Sequence, residues 1–182
     1  ILRGMDLSGK DLTGTILAGI NLSDMNLTGT ILTGADLTNA DLTGVNLSNK
    51  DLTGTILTGV DLSAMDLTGI ILAGADLTDA DLTGVDLSGR DLTGAILRGM
   101  DLSGKDLTGT ILRGADLTNA NLDGVDLAGK DLSFASMQYT RLDNTDMENT
   151  NLEGAKLIQV DFTKIKNKSL AGANLLDSSF AH

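Results

Sequence analysis

Carboxylates are the most abundant reactive groups in this 182-residue chain, with 25 Asp and Glu against 13 Lys and Arg, and His182 is the single histidine. Paired carboxylates can perform acid–base chemistry or hold a hard cation, provided that a distinct environment separates them from their neighbours. Here the aspartates recur at one place in a five-residue repeat, as in ADLTG, ADLTN and VDLSG, so each meets nearly the same surroundings. No ligand cluster breaks the pattern, and a cation along such a ladder would be held loosely. His182 is the last residue and reads as a chain end, not a base. The glycines recur at a fixed place too, and they never form GxGxxG ahead of a helix. With no Cys there is no thiol nucleophile, disulfide framework or Cys-zinc site. The expectation is no enzyme, no cofactor and no metal.

The repeat must therefore be read for architecture. A Leu stands every fifth residue from Leu2 to residue 162; 30 of the 33 places are Leu, and the others are Met137, Met147 and Phe162. A step of five drifts around a helix and flips sides along a strand, so Leu keeps one direction only if the chain bends once per repeat. Two residues after each Leu stands Gly in 21 places, Asn in five and Asp in two, the types that tolerate positive φ at a tight corner. The Leu and the small residue two before it should face inward. The Asp or Asn just before the Leu, and the Thr or Ser just after, should face outward. Residues 31–59 also realign with 71–99, an offset of 40. Forty divides into four-sided coils of 20 and not into triangular coils of 15, although duplication alone also yields this offset.

ADLTG, VDLSG and GADLTDADLTG closely resemble the pentapeptide-repeat family, whose consensus is A(D/N)LXX, and the resemblance runs through residues 1–162. It implies an all-β fold, a right-handed quadrilateral parallel β-helix with about eight or nine coils, each about 4.8 Å from the next, and a height of roughly 40 Å. Residues 1–162 would be the regular helix, and 163–182 a basic insertion, an irregular last coil and a C-terminal cap of the same domain. A cap would cover the strand edge that the final coil otherwise exposes. Ile1 stands in mid-repeat, which reads as a fragment or processed chain lacking its upstream sequence.

Two sets of residues break the pattern. Lys10, Lys50, Arg90 and Lys130 fall on one inward column in alternate coils, and Lys105 takes the same place on the preceding face. A buried unpaired ammonium is costly, so each stem should run along the wall with its charge escaping at a corner near an Asp, at the expense of local distortion. Ile16, Ile31, Ile56, Ile71, Ile96 and Ile111 replace the outward Asp in a checkerboard on two adjacent faces. They read either as an exposed docking or dimer zone or as packing ridges. A third departure is the end of the chain, where all four aromatics lie (Phe134, Tyr139, Phe162, Phe180) and TKIKNKS (163–169) interrupts the phase. Phe134, Tyr139 and Arg141 join the candidate interface.

The expected function is a non-catalytic, rigid scaffold for a protein partner, with a homodimer as a further option. The family resemblance includes secreted effectors of Gram-negative pathogens, so the repeat would be part of a larger bacterial protein, in the cytoplasm or delivered into a host cell. The alternative is a DNA mimic that binds DNA gyrase or topoisomerase IV and protects against quinolones, as some family members do. The net charge of −12 excludes direct nucleic-acid binding. Over the expected height it supplies one charge per ~3.4 Å, half the density of duplex DNA. Ice binding by Thr13, Thr33, Thr53 and Thr93 is a remote third reading, weakened by Ala73 in that rank. No apolar run is long enough to span a membrane.

Overall fold

The computed structural model describes residues 5–63 and 65–180; Ile1, Leu2 and His182 lie outside them. The chain divides into two compact units, Ile1–Asp86 and Leu87–His182.

In each unit the five-residue repeat folds as one β-turn after another. In the first unit, the Lys10 N–H donates to the Leu7 carbonyl (3.1 Å), and Thr15, Thr30 and Ala35 repeat the bond to Leu12, Leu27 and Leu32. The residue after the turn's centre has positive φ, 65° at Gly9 and 57° at Asp24, which is type II geometry. The expected corner is thus where the backbone needs a residue free to adopt a left-handed conformation.

Successive coils stack as parallel bridges between residues 20 apart, such as Asp11 with Ile31 in the first unit and Asp101 with Asn121 in the second. Main-chain bonds alternate across each bridge: the Leu12 N–H donates to Ile31 O, and the Ile31 N–H to Lys10 O. A coil of 20 residues contains four such turns, so each unit is a solenoid with a 20-residue pitch. The side-chain alternation follows. Leu22, Leu32, Leu37 and Leu52 are completely buried in the first unit, as are Leu92, Leu97 and Leu112 in the second. Each burial contributes about 1.5–3 kcal/mol. Ala35, Ala75, Ala95 and Ala115 fill the small inward place.

On the outside, the carboxylate or amide before each Leu closes a local ring. Asp11 accepts the Thr13 N–H (3.0 Å) and hydroxyl (2.6 Å), and Asn46 accepts the same pair from Ser48. The repeated Asp thus has a turn-building role. The hydroxyl of Thr13, then its N–H, holds the Asp11 carboxyl below the ordinary carboxylate range, and Thr38 and Thr53 do the same for Asp36 and Asp51.

In the second unit the regular pitch holds until Lys166, whose N–H donates to Thr145 O. Beyond it, Asn151 bridges Asn174 and Lys156 bridges Ser179, both 23 residues apart. Three extra residues therefore enter between Lys166 and Ala171, in the second of two short 3-10 turns, Phe162–Lys164 and Lys166–Lys168, and the segment that follows. Ile165 sits between those turns and is buried, anchoring the basic segment to the core. Phe162 meets Phe180 with ring centroids 6.2 Å apart. Leu175, Leu176 and Phe180 of the last coil are exposed.

Candidate functional site

The inward cations separate by burial. Lys10 is exposed, whereas Lys50, Arg90, Lys105 and Lys130 are half-buried. Buried threonines show what that inward place does. The Thr30, Thr55, Thr110 and Thr150 hydroxyls each donate to the carbonyl of the Leu 23 residues earlier, one coil before. Lys50 uses the same relation: its ammonium donates to Leu27 O and also to Thr30 O at 3.2 Å. Its charge is therefore met by main-chain carbonyls, not by an Asp at a corner as the sequence reading expects. A lysine is long enough to reach carbonyls inside the wall, and these are closer than any outward carboxylate. Burial lowers the Lys50 pKa. Lys50 lines a surface groove with Met25, Asn26, Asn46, Ser48 and Asn49.

The six isoleucines occupy the outward place, each bridged to an Asp of a neighbouring coil. Examples are Asp51 with Ile71 and Ile56 with Asp76 in the first unit, and Asp91 with Ile111 in the second. Ile16 is the most exposed at 81%, and Ile31, Ile56, Ile71 and Ile111 are also exposed. Ile96 is half-buried; its bridge partner Asp116 receives the Arg98 Nε–H at 2.6 Å over the same face. Each bridged Ile therefore has a carboxylate as its neighbour along the column. The surface is an alternation of apolar and acidic points, not an unbroken apolar strip.

Charge differs between the units. Residues 1–86 hold twelve Asp against Arg3, Lys10 and Lys50, a net of −9. Residues 87–182 hold 13 acidic and ten basic residues, a net of −3. Ion pairs of the second unit include Arg98–Asp116, Arg113–Asp131, Arg141–Asp123, Lys164–Asp143, Lys164–Asp161 and Lys166–Asp146. Among the described residues no group of His, Cys, Asp and Glu could hold a metal ion. No helix there is long and apolar enough to cross a membrane.

Phe134 and Tyr139 stand at corner positions where 21 repeats have Gly, and both keep the corner conformation, with φ of 62° and 59°. The sequence phase already placed them there, since each follows an inward residue by two. Phe134 is clamped: the Arg113 guanidinium lies 5.0 Å from its ring centroid, and its ring lies where a Cβ on Gly154 would go.

These features define a repeat solenoid whose Leu column is nearly constant while its other columns vary. The family model for pentapeptide repeats matches eight copies, over residues 6–44, 35–72, 66–99, 91–129 and 131–164. The chain belongs to the pentapeptide-repeat family. Among solved structures, it is similar to HetL, a pentapeptide-repeat protein involved in heterocyst differentiation regulation from the cyanobacterium Nostoc sp. strain PCC 7120. Identity is 31%, coverage 94% of this chain and 81% of HetL, and the TM-score 0.65. A trypsin-treated form of QnrB1, a plasmid-mediated fluoroquinolone resistance protein, matches at 16% identity, 92% and 90% coverage and a TM-score of 0.38. AT2G44920, a pentapeptide-repeat protein of the Arabidopsis thaliana thylakoid lumen, matches at 25% identity, 85% and 70% coverage and a TM-score of 0.17. At that overlap neither bears on function. No curated protein matches the chain in sequence.

Proposed function

We propose that the chain is a right-handed quadrilateral β-helix serving as a non-catalytic scaffold, and that it docks a protein partner through its isoleucine-bearing faces. The observation that carries this reading is the exposure of Ile16, Ile31, Ile56 and Ile71 at a place the repeat gives to Asp or Asn 23 times. An inward place needs Ile for packing; an outward place does not. Apolar points set among carboxylates suit a partner with apolar pockets and basic rims. The involvement of HetL in heterocyst differentiation regulation is compatible with such a scaffold. The test is the triple variant Ile31→Asp, Ile56→Asp, Ile71→Asp. Loss of partner capture or of self-association, with an unchanged melting curve, is expected. Unchanged capture and unchanged oligomeric state would end the reading.

A second reading rests on charge. Asp41, Asp61 and Asp81 share one outward column of the acidic first unit, and Asp61 bridges Asp81. Such a column presents regularly spaced negative charge to a basic groove, as a DNA-mimicking inhibitor of a type II topoisomerase would. A gyrase supercoiling assay, with and without a quinolone, discriminates between the two. Inhibition or drug protection at micromolar protein favours mimicry, and no effect leaves the scaffold.

A further inference from the structure

We infer that the face of the second unit bordered by Phe134 and Tyr139 is a docking site for an acidic, apolar-anchored segment of a partner protein. The inference shares with the scaffold reading the premise that the partner is a protein; it concerns the second unit, where the column from Ile96 runs through Asp116 to Ser136 and Lys156, whereas the isoleucines varied above lie in the first. Tyr139 carries the argument. A bulky residue in the left-handed region pays a steric cost that Gly or Asn avoids. Phe134 recovers that cost by stacking between Arg113 and the Gly154 corner. Tyr139 holds φ at 59° and is 50% exposed, and among the described residues its ring stacks on no other ring and on no cation. One coil earlier, the same corner is Asn119 at φ 61°. A polar residue that fits the corner is thus replaced by an aromatic that fits it less well, with half of its surface left exposed and no ring or cation stacked on it among the described residues. Tyr and Arg are the side chains that most often anchor protein interfaces.

Charge selects the class of partner. The face between these corners carries Ser136 and Gln138, and the next coil adds Lys156 and Ile158. Residues 135–139 and 155–159 contain no carboxylate, in a chain of net charge −12. Lys156 is exposed and, among the described residues, has no ion-pair partner. Arg141, on the far side of Tyr139, is exposed and paired with Asp123. An acidic segment would be repelled by most of this protein and accepted here. Aromatic corners on the rim would grip its apolar side chains.

The test is panning of a phage-displayed random peptide library on the full chain, with affinities of the selected peptides then measured. The general attraction of an acidic protein is for basic peptides, so an acidic pool is diagnostic. The expected pool is rich in Asp and Glu with aromatic or aliphatic anchors. Tyr139→Asn, a residue this corner accepts, should weaken binding about tenfold or more with the melting temperature held within a few degrees. Lys156→Glu should weaken it too, and the Ile31→Asp, Ile56→Asp, Ile71→Asp variant should not. A basic pool, or binding indifferent to Tyr139→Asn, overturns the inference, as does a Tyr139→Asn chain that no longer folds. So does concentration-dependent self-association abolished by Tyr139→Asn, because the occupant would then be a second copy.

Discussion

The Lys50 ammonium donates to the Thr30 carbonyl, the acceptor that an Asp51 N–H would use if the ladder of this face continued. The paired coils make the contrast: Ile31 bridges Asp11, and Asp51 bridges Ile71, but Ile31 and Asp51 form no bridge. The same break recurs in the second unit, where Ile111 bridges Asp91 but not Asp131, the residue after Lys130. The Lys50 ammonium thus supplies a donor where the main chain does not, although Asp41 and Asp61, which follows the inward Val60, also form no bridge with each other. The variant Lys50→Thr should restore the local donor seen at Thr30 and Thr110 and let the Asp51 and Leu32 N–H groups pair. With two main-chain bonds regained at about 1 kcal/mol each, we expect a gain of about 1–2 kcal/mol. Hydrogen exchange resolves it: the Asp51 amide should become protected in the variant, and an unchanged rate would show that the lysine does not cause the break.

How far this was legible in the sequence varies from residue to residue. The corner at Gly9, Asp24 and Asn39 was, because a five-residue period has no other way to keep Leu pointing inward, and all three have positive φ. The 20-residue pitch was legible as a divisor of the 40-residue offset between residues 31 and 71. The Lys50 contact was not, because its acceptor lies 23 residues away and becomes a neighbour only after coiling. The place of the three extra residues was legible only to within TKIKNKS, since the phase shift between Phe162 and Leu170 does not say which bond of the ladder slips. Of the candidate site, the outward register of the isoleucines was readable. The half-burial of Ile96 was not, because it accompanies the Arg98–Asp116 pair, which closes across coils.

Acid should weaken the turns. In the first unit the hydroxyls and N–H groups of Thr13, Thr38, Thr43 and Thr53 hold Asp11, Asp36, Asp41 and Asp51 below their ordinary value of 3.8. A carboxyl with a depressed pKa in the folded state contributes stability that is present above its unfolded pKa, about 4, and is lost as pH falls through the folded value. The melting temperature should therefore be flat from neutral pH down to about 5 and fall below about 4. Replacing these four Asp by Asn should flatten the acid limb. The amide still accepts the local N–H, as Asn26 does from Thr28 at 3.0 Å. Equal acid limbs in both proteins would assign the loss to other carboxylates.

Gly154 and Phe134 should behave as one unit. A Cβ on Gly154 would stand 2.7 Å from Phe134 Cδ1, and the Gly154 φ of 65° adds the cost of a left-handed Ala. Gly154→Ala alone should destabilise the protein by about 2–3 kcal/mol, combining backbone strain with overpacking. In a Phe134→Asn background the clash is gone and only the backbone part, about 1 kcal/mol, should remain. Urea melts of the four proteins give the coupling directly. Additive losses would show that the ring does not press on the corner.

Ile165 should decide whether the basic segment stays docked. It is 4% exposed and lies between two 3-10 turns that bear Lys164, Lys166 and Lys168. The ion pairs around it are exposed on the lysine side, and pairs of that kind contribute about 0–1 kcal/mol, so they cannot hold the segment alone. Ile165→Asp buries a carboxylate in an apolar place or forces the turn out, at about 3–5 kcal/mol by either route. Trypsin reports the outcome, since the three lysines are its sites. We expect rapid cleavage at residues 164–168 in the variant, with the wild-type segment resistant under the same conditions. The first unit should give the same fragments in both proteins, because no residue of the basic segment belongs to it. If the variant resists trypsin as the wild type does, the segment is held by its main-chain bonds at Lys164 and Lys166 and not by the buried isoleucine.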